Sequence, residues 1–109
     1  MSLYAEYIKE REGMEIIEIP DMGFASYLIK NQECYMRDVY IIPSLRRTGL
    51  GGKMADKIEN IAKARGCKIF TTTASIHANN VSNSIQFILS LGFKLVKTES
   101  TLLWFVKEL

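Results

Sequence analysis

Seven residues near the middle of the sequence decide the fold: Arg46-Arg47-Thr48-Gly49-Leu50-Gly51-Gly52. They follow an apolar, strand-like segment and open an amphipathic, helix-like one, so they form a strand-to-helix turn. Glycine in such a turn permits positive φ and a close approach of the backbone. The first N–H groups of a helix have no partner within the helix, and together with the helix dipole they bind phosphate. With its two arginines, the turn predicts a site for a phosphate-containing ligand.

Spacing separates this turn from two other phosphate motifs. A P-loop requires a lysine followed by serine or threonine, whereas Lys53 is followed by Met54. A dinucleotide fingerprint requires a third glycine three residues after Gly51, and that position is also Met54. The remaining alternative is a glycine-rich turn that only makes a tight connection.

The sequence before the turn predicts one helix and three strands. Residues 3–12 are predicted to form a short helix, and Gly13 is a suitable end for it. At helical spacing, one face of this helix carries Tyr4, Tyr7, Ile8 and Arg11. Three strands then form an antiparallel meander, because their connections are too short for crossovers; they are residues 14–19, 24–29 and 34–42. Tyr35 and Tyr40 are expected on opposite faces of the third strand, since side chains alternate along a strand.

The sequence after the turn predicts two helices and three strands. Leu50, Met54 and Ile58 recur at helical spacing and form the apolar stripe of a helix that ends at Gly66. The helix is a crossover, which makes the strands on either side of it a parallel pair. The fold class is therefore α/β (α+β), with a mixed, mostly antiparallel sheet of about six strands. The later elements are a strand at 68–74, a helix at 83–91, and strands at 93–97 and 101–107.

Composition excludes several classes of function. The length fits a single domain over residues 1–109. Cys34 and Cys67 have no Cys-x-x-Cys spacing and there is one histidine, so we expect no metal site. Two reduced thiols favour a cytoplasmic location. The sequence has neither a signal peptide nor an apolar run that could span a membrane, and it lacks the charge pattern of a nucleic-acid-binding protein.

Charge is unevenly distributed along the chain. Residues 1–43 carry four basic and eight acidic side chains, whereas residues 44–68 carry seven basic and two acidic ones. The basic segment favours an anionic ligand, and the acidic segment favours a cationic one nearby. A solvated basic helix face is the alternative explanation for the basic segment.

Two motifs, in this order, resemble those of the GNAT superfamily of N-acetyltransferases. The turn from Arg46 to Gly51 matches the pattern Arg/Gln-x-x-Gly-x-Gly/Ala, and residues 39–43 resemble the superfamily's strand that ends in Val-x-Pro. Residues 84–93 resemble its Ala-Ile-x-Phe-Tyr-x-x-Leu-Gly-Phe segment, at a typical distance downstream. The resemblance covers about residues 14–107. It implies a GNAT-like sheet with helices on both faces, splayed between strands 34–42 and 68–74.

The resemblance implies that acetyl-CoA is the cofactor and that an amine on a small molecule or a protein accepts the acetyl group. The diphosphate would bind backbone amides from Arg47 to Lys53. The pantetheine arm would pair with the main chain of residues 40–42, in the gap between the splayed strands. The implied cofactor-binding residues are Tyr40, Ile41, Ile42, Arg46, Arg47, Thr48, Gly49, Leu50, Gly51, Gly52, Lys53, Asn80, Asn83 and Phe87.

The candidate catalytic residues are Asp38, His77 and Tyr40. Asp38 interrupts an apolar strand, where a carboxylate is unfavourable unless it is paired or functional. Its neighbour Arg37 is expected on the opposite face, so a partner on another strand or a solvated position is the alternative for Asp38. His77 is the only histidine and follows the fourth strand, near the expected entry of the acceptor. An ordinary surface position is the alternative for His77.

Two departures from the superfamily pattern affect the expected function. Ile88 stands where a tyrosine often protonates the departing thiolate, so Tyr40, Ser84 or solvent would have to supply that proton. A counterpart of the first strand and first helix is not recognised, so we expect a homodimer in which a second subunit completes the acceptor wall. The expected function is an acetyl-CoA-dependent N-acetyltransferase. The alternative is a reduced GNAT-like module that binds CoA or a protein partner without turnover.

Overall fold

The computed structural model describes residues 2–109. Its helices and strands follow the predicted order, and their boundaries lie within about two residues of the predicted ones. A short 3-10 turn, Pro43–Leu45, precedes the glycine-rich turn. The helices are α1 (Leu3–Glu12), α2 (Leu50–Ala64) and α3 (Val81–Ser90); the strands are β1 (Glu15–Ile19), β2 (Gly23–Lys30), β3 (Glu33–Ile41), β4 (Ile69–Ser75), β5 (Lys94–Glu99) and β6 (Leu102–Glu108).

The strands form one sheet in the order β1-β2-β3-β4-β6-β5. β3 and β4 are parallel, because α2 connects them as a crossover, and the other neighbouring pairs are antiparallel. This arrangement confirms the predicted mixed, mostly antiparallel sheet. The β5–β6 hairpin places β6 against β4, so that β5 lies at the edge of the sheet.

Helices cover both faces of the sheet, as the resemblance implies. Ile58 of α2 and Ile88 of α3 belong to the same buried cluster as Ala25 of β2, so α2 and α3 share one face. The neighbouring residue Phe24 points to the other face and makes an edge contact with Tyr4 of α1, with ring centroids 5.6 Å apart. Within residues 2–109, no helix is both long and apolar enough to cross a membrane.

The parallel strands β3 and β4 pair only over their first four residues. Their register runs from Glu33 opposite Ile69 to Met36 opposite Thr72, and the strands separate beyond it. At this fork the hydroxyl of Thr72 donates to the carbonyl oxygen of Met36 at 2.8 Å. The predicted splay between these strands is therefore confirmed. It opens a gap in the middle of the sheet.

A β-bulge at Arg37 alters the second half of β3. On β2, Ser26 lies opposite Asp38 and Tyr27 lies opposite Met36, so Arg37 is an extra residue between two paired positions. Side chains alternate along a strand, and one extra residue therefore reverses the faces of all later positions. The bulge sets which side chains of β3 point towards α1.

The bulge overturns one expectation about the tyrosines of β3. Tyr35 lies opposite Leu28 and Tyr40 lies opposite Phe24. Leu28 and Phe24 are four residues apart on a regular strand, so they share a face. Tyr35 and Tyr40 consequently share that face, and the expectation of opposite faces is wrong.

Candidate functional site

The glycine-rich turn has the backbone geometry of an open helix N-terminus. Arg47 and Gly49 have φ values of +65° and +85°, and Gly49 is the N-cap of α2. Within the described residues, no side chain caps α2, and its first turn has no acidic residue. The N–H groups of Gly51 and Gly52 therefore have no helical partner, and the positive end of the helix dipole is not neutralised locally. The turn can accept an anion.

Three residues of the predicted site are already used in other contacts. The N–H of Lys53 donates to the carbonyl oxygen of Gly49 at 3.1 Å, as the first bond within α2. The expectation that backbone amides as far as Lys53 bind the diphosphate is therefore wrong for Lys53. The hydroxyl of Thr48 donates to the carbonyl oxygen of Leu45 at 2.7 Å. Leu50 packs against the buried core.

A groove of about 1020 Å³ runs between the turn and α3. Ten of the fourteen predicted cofactor-binding residues line it: Tyr40, Ile41, Arg46, Arg47, Gly49, Gly51, Gly52, Asn80, Asn83 and Phe87. The other four, Ile42, Thr48, Leu50 and Lys53, are not among its lining residues. Residues outside the predicted cofactor-binding set complete the lining, namely Val39, Leu45, Asn79, Ser84, Gln86, Ser90 and Leu91.

Beyond the fork, every second residue of β3 points its main-chain N–H and carbonyl groups into the gap. The N–H of Asp38 donates to the Ser26 hydroxyl, and the N–H of Ile42 donates to the carbonyl oxygen of Met22 at 2.9 Å, so both point towards β2. Main-chain groups alternate along a strand, so those of Val39 and Ile41 face the gap. Of residues 40–42, only Ile41 therefore presents its main chain to the gap, because Tyr40 and Ile42 direct theirs towards β2. Val39 presents its main chain to the gap as well.

A second cavity, of about 610 Å³, lies at the fork between β3 and β4. It meets the groove where both spaces share the same lining residues, which are Val39, Tyr40, Ser84 and Phe87. On the α1 side of the sheet its wall includes Tyr4, Phe24, Arg37 and Asp38. The two spaces therefore adjoin each other at the gap in the sheet, and together they are called the passage below.

Asp38 lies in the wall of this second cavity with two hydrogen bonds to one carboxylate oxygen. Its Oδ2 accepts from the Ser26 hydroxyl at 2.8 Å and from Nε of Arg37 at 2.9 Å. The expectation that Arg37 faces away from Asp38 is wrong, because the bulge at Arg37 interrupts the alternation of side chains. The Asp38 side chain is 45% exposed, so it is both paired and accessible to a ligand.

Comparisons with known proteins identify the family of the chain. The profile of the acetyltransferase (GNAT) family matches residues 5–93. The chain belongs to this family. An aminoglycoside N(6′)-acetyltransferase type 1 from Klebsiella aerogenes is 34% identical over 80 residues, which cover 66% of this chain and 51% of the relative. The chain thus spans about half the length of that curated relative.

Two solved acetyltransferases share the GNAT fold of this chain. The PaiA N-acetyltransferase of Thermoplasma acidophilum, in complex with coenzyme A, has a TM-score of 0.79 at 18% identity, covering 95% of this chain and 67% of its own. An acetyltransferase of Bacillus subtilis, in complex with CoA, has a TM-score of 0.74 at 14% identity, covering 95% and 83%. Acetyl-CoA is the cosubstrate of the GNAT family, which confirms the expected cofactor at the level of the family.

The other candidate residues for catalysis lie in different surroundings. Tyr40 is 42% exposed; its ring lies 5.8 Å from that of Phe24 and 5.6 Å from the Arg46 guanidinium carbon. Ile88 is buried in the wall of the second cavity, and Ser84 lies one helical turn before it where the two spaces meet. His77 is exposed in the turn after β4, and the lining of the two cavities, as far as the described residues go, does not include it.

Proposed function

We propose that this GNAT chain is an N-acetyltransferase that uses acetyl-CoA and acetylates a cationic amine. The observation that carries the proposal is this passage, which has lining residues on both faces of the splayed sheet. One end meets a basic turn with unpaired helical N–H groups, and the other end meets the accessible carboxylate of Asp38. An anionic cosubstrate and a cationic acceptor could therefore approach each other from opposite faces of the sheet.

The groove fits the parts of acetyl-CoA by their chemistry. The diphosphate would accept hydrogen bonds from the N–H groups of Gly51 and Gly52, beside the side chains of Arg46 and Arg47. The pantetheine arm would pair, as an added strand, with main-chain groups of β3 that face the gap. Asn80 and Asn83 would offer amides from the opposite wall. When bound, acetyl-CoA supplies the activated acetyl group.

On the acceptor side, Asp38 has the chemistry of a proton acceptor. An amine must lose its proton before it can act as a nucleophile, and a carboxylate close to the ammonium can receive that proton directly or through water. The Tyr4 and Phe24 rings line the same cavity as Asp38, and aromatic rings attract a cation. Tyr40 and Ser84 both line the place where the two spaces meet, so the hydroxyl of either residue could hydrogen-bond the leaving sulfur.

Cofactor binding is the first experiment. Acetyl-CoA is titrated by calorimetry into the wild-type chain and into Gly49→Glu, which places a carboxylate at the turn. We expect binding to the wild type and at least a tenfold loss of affinity in the variant. Gly66→Ala is the matched control, since Gly66 also has a positive φ but follows the other end of α2. Equal affinity for the wild type and Gly49→Glu would contradict the placement of the diphosphate.

Turnover is the second experiment, and it separates the enzyme from a binding module. Release of the CoA thiol is measured with polyamines, amino acids, lysine peptides and aminoglycosides as acceptors. Aminoglycosides belong in this set because the curated relative is named as an aminoglycoside acetyltransferase. We expect turnover with at least one cationic amine and a loss of at least about a hundredfold in kcat for Asp38→Asn. Binding without turnover would favour the alternative, a GNAT module that only binds CoA or a protein partner, which Ile88 in place of tyrosine supports.

We also propose that the chain forms a homodimer and works in the cytoplasm. Leu95 and Val96 on the edge strand β5 are 51% and 56% exposed, which favours a covering partner. Cys34 and Cys67 are free and buried, as suits a reducing compartment. Burial raises the pKa of the Cys34 thiol to about 12, so it stays protonated and unreactive. Sedimentation of the wild type and of Val96→Lys tests the dimer, which the variant should weaken.

A further inference from the structure

We propose that Glu12, Ser26 and Arg37 form a positioning cluster for Asp38. The cluster holds one carboxylate oxygen of Asp38 in place, leaves the other for the acceptor, and gives this end of the passage a net negative charge. This inference rests on the proposed role of Asp38 as proton acceptor. Its members come from three elements, α1, β2 and the bulge of β3, so the sequence order gives no sign of it.

Ser26 fixes Asp38 from the neighbouring strand. The Ser26 hydroxyl accepts from the N–H of Asp38 at 3.1 Å and donates to Oδ2 of Asp38 at 2.8 Å. Ser26 is 1% exposed, so its side chain has little freedom to move and no water to compete for these bonds. The pair of bonds sets both the backbone and the side-chain direction of Asp38.

Arg37 fixes the same carboxylate oxygen from the other side. Its Nε donates to Oδ2 of Asp38 at 2.9 Å, and its Nη2 donates to Oε2 of Glu12 at 3.0 Å. Hydrogen bonds to Glu12 and Asp38 raise the pKa of Arg37 further, so it remains charged at any pH of interest. Both bonds to the Asp38 side chain therefore fall on Oδ2. No side chain within residues 2–109 donates to Oδ1, which is left for the acceptor.

Glu12 determines the charge that an incoming ammonium meets. Arg37 and Asp38 alone would be neutral as a pair, and the guanidinium would repel a cation approaching Asp38. Glu12 brings a second carboxylate, so the three ionised groups carry a net charge of −1. An acceptor ammonium beside Asp38 then restores neutrality. Because Glu12 is in α1, the same contact ties α1 and its Tyr4 to the wall of the cavity.

Steady-state kinetics of the full chain, at saturating acetyl-CoA, distinguishes positioning from a merely structural role. Ser26→Ala frees Asp38 to turn away, so we expect kcat to fall about tenfold with unchanged affinity for acetyl-CoA. Ser26→Thr keeps the hydroxyl and should restore most of kcat. Arg37→Gln should lower kcat by several fold, and Arg37→Lys should recover part of it. The Arg37 side chain is partly exposed, so these variants test the proposal even if Ser26→Ala does not fold.

Glu12→Gln tests the charge of the cluster separately. Exposed ion pairs are weak, so we expect KM for the amine to rise about two- to fivefold with kcat nearly unchanged. The difference in KM between Glu12→Gln and the wild type should shrink in about 1 M salt, where charges are screened within a few ångströms. The control is Arg65→Gln, which removes the exposed ion pair between Arg65 and Glu15, whose charged atoms are 2.8 Å apart. Neither residue lines either cavity. For Ser26→Ala the control is Thr71→Val, which also removes a buried hydroxyl.

Spermidine binding, followed by NMR, gives a readout that needs no turnover. Glu12→Gln and Asp38→Asn should weaken spermidine binding, and the control Arg65→Gln should not. If the wild type does not bind spermidine, the proposed cation site is wrong. Turnover that is unaffected by Asp38→Asn would contradict the proposed function itself. If Asp38→Asn impairs turnover while Ser26→Ala, Arg37→Gln and Glu12→Gln behave like their controls, the positioning cluster alone is wrong.

Discussion

The ring of Phe87 on α3 lies against the backbone of Gly51 in the first turn of α2. A Cβ on Gly51 would lie 3.3 Å from Cζ of that ring, closer than most side-chain contacts allow. At Gly52 the nearest side-chain atom, on Leu91, would be 3.9 Å away, which is ordinary contact. A side chain at Gly51 would therefore press on the Phe87 ring, whereas one at Gly52 would have room.

This difference predicts opposite effects of substitution at the two glycines. Gly51→Val should displace Phe87 and destabilise the fold by about 1–3 kcal/mol, as overpacked positions do. Gly52→Ala should raise the free energy of unfolding by up to about 1 kcal/mol, because alanine favours the helix. Urea denaturation of both variants measures the effects. Equal stability of Gly51→Val and the wild type would show that Phe87 can move freely.

The fork between β3 and β4 predicts a second effect on stability. The buried Thr72 hydroxyl is the side-chain donor to the Met36 carbonyl where strand pairing ends. Thr72→Val keeps the shape and leaves that carbonyl without this donor, so it should cost about 1–3 kcal/mol. Thr71→Val is the matched control, because the Thr71 hydroxyl makes a longer bond, 3.4 Å to the Cys34 carbonyl oxygen. If Thr72→Val loses no more stability than Thr71→Val, the fork does not depend on the hydrogen bond from Thr72 to Met36.

Most of the fold could be predicted from the sequence because its signals are local. Apolar spacing identified α2, and Gly13, with a φ of +69°, ends α1 as expected. The Asn31 and Gln32 turn joins β2 and β3 with two residues of positive φ, in the place predicted for a hairpin. The groove could be predicted for the same reason, since the turn that forms one wall is contiguous in sequence.

The acceptor side could not be predicted, because it depends on one bulge. A single extra residue at Arg37 reverses the side-chain faces of β3, and no residue type marks that position. The alternation rule therefore separated Arg37 from Asp38, and it missed the gap-facing main chain of Val39. His77 illustrates the converse problem. Its chemistry made it a candidate, but only the path of the loop after β4 determines whether it reaches the cavity.

Lys107 predicts a stability effect that depends on pH. Its Nζ lies 2.6 Å from Oε1 of Glu59 and donates to the carbonyl oxygen of Leu91 at 2.9 Å, which links β6, α2 and the end of α3. Burial raises the pKa of Glu59, but hydrogen bonds from Lys107 and Lys63 outweigh burial and lower the pKa below its ordinary value. The ionised form of Glu59 therefore stabilises the fold above its unfolded pKa. This contribution is lost as the pH falls through the lowered folded value.

Denaturation of Lys107→Met at two pH values checks this link. At neutral pH we expect a loss of about 1–3 kcal/mol, since a charged hydrogen-bonding group is removed from partly buried partners. At a pH below the lowered pKa of Glu59, the difference in stability from the wild type should shrink, because Glu59 is then protonated in both proteins. Lys63→Gln is the control, as its i,i+4 pair with Glu59 is half-exposed and worth about 0.3–0.5 kcal/mol. If the loss of stability in Lys107→Met does not depend on pH, the missing hydrogen bond to the Leu91 carbonyl oxygen explains the whole effect.

Ile88 predicts a gain of activity on substitution. It stands at a position where GNAT proteins often carry a tyrosine, and its buried side chain lines the cavity beside the point where the two spaces meet. Ile88→Tyr adds a phenolic hydroxyl that can donate a proton to the leaving sulfur, so we expect kcat to rise about tenfold or more. Ile88→Phe is the matched control, since it adds the ring without the hydroxyl and so reports the cost of extra bulk. Calorimetry with acetyl-CoA shows whether either ring disturbs the groove. A kcat that is the same for Ile88→Tyr and Ile88→Phe would mean that protonation of the thiolate does not limit turnover, and that Tyr40, Ser84 or solvent already supplies the proton.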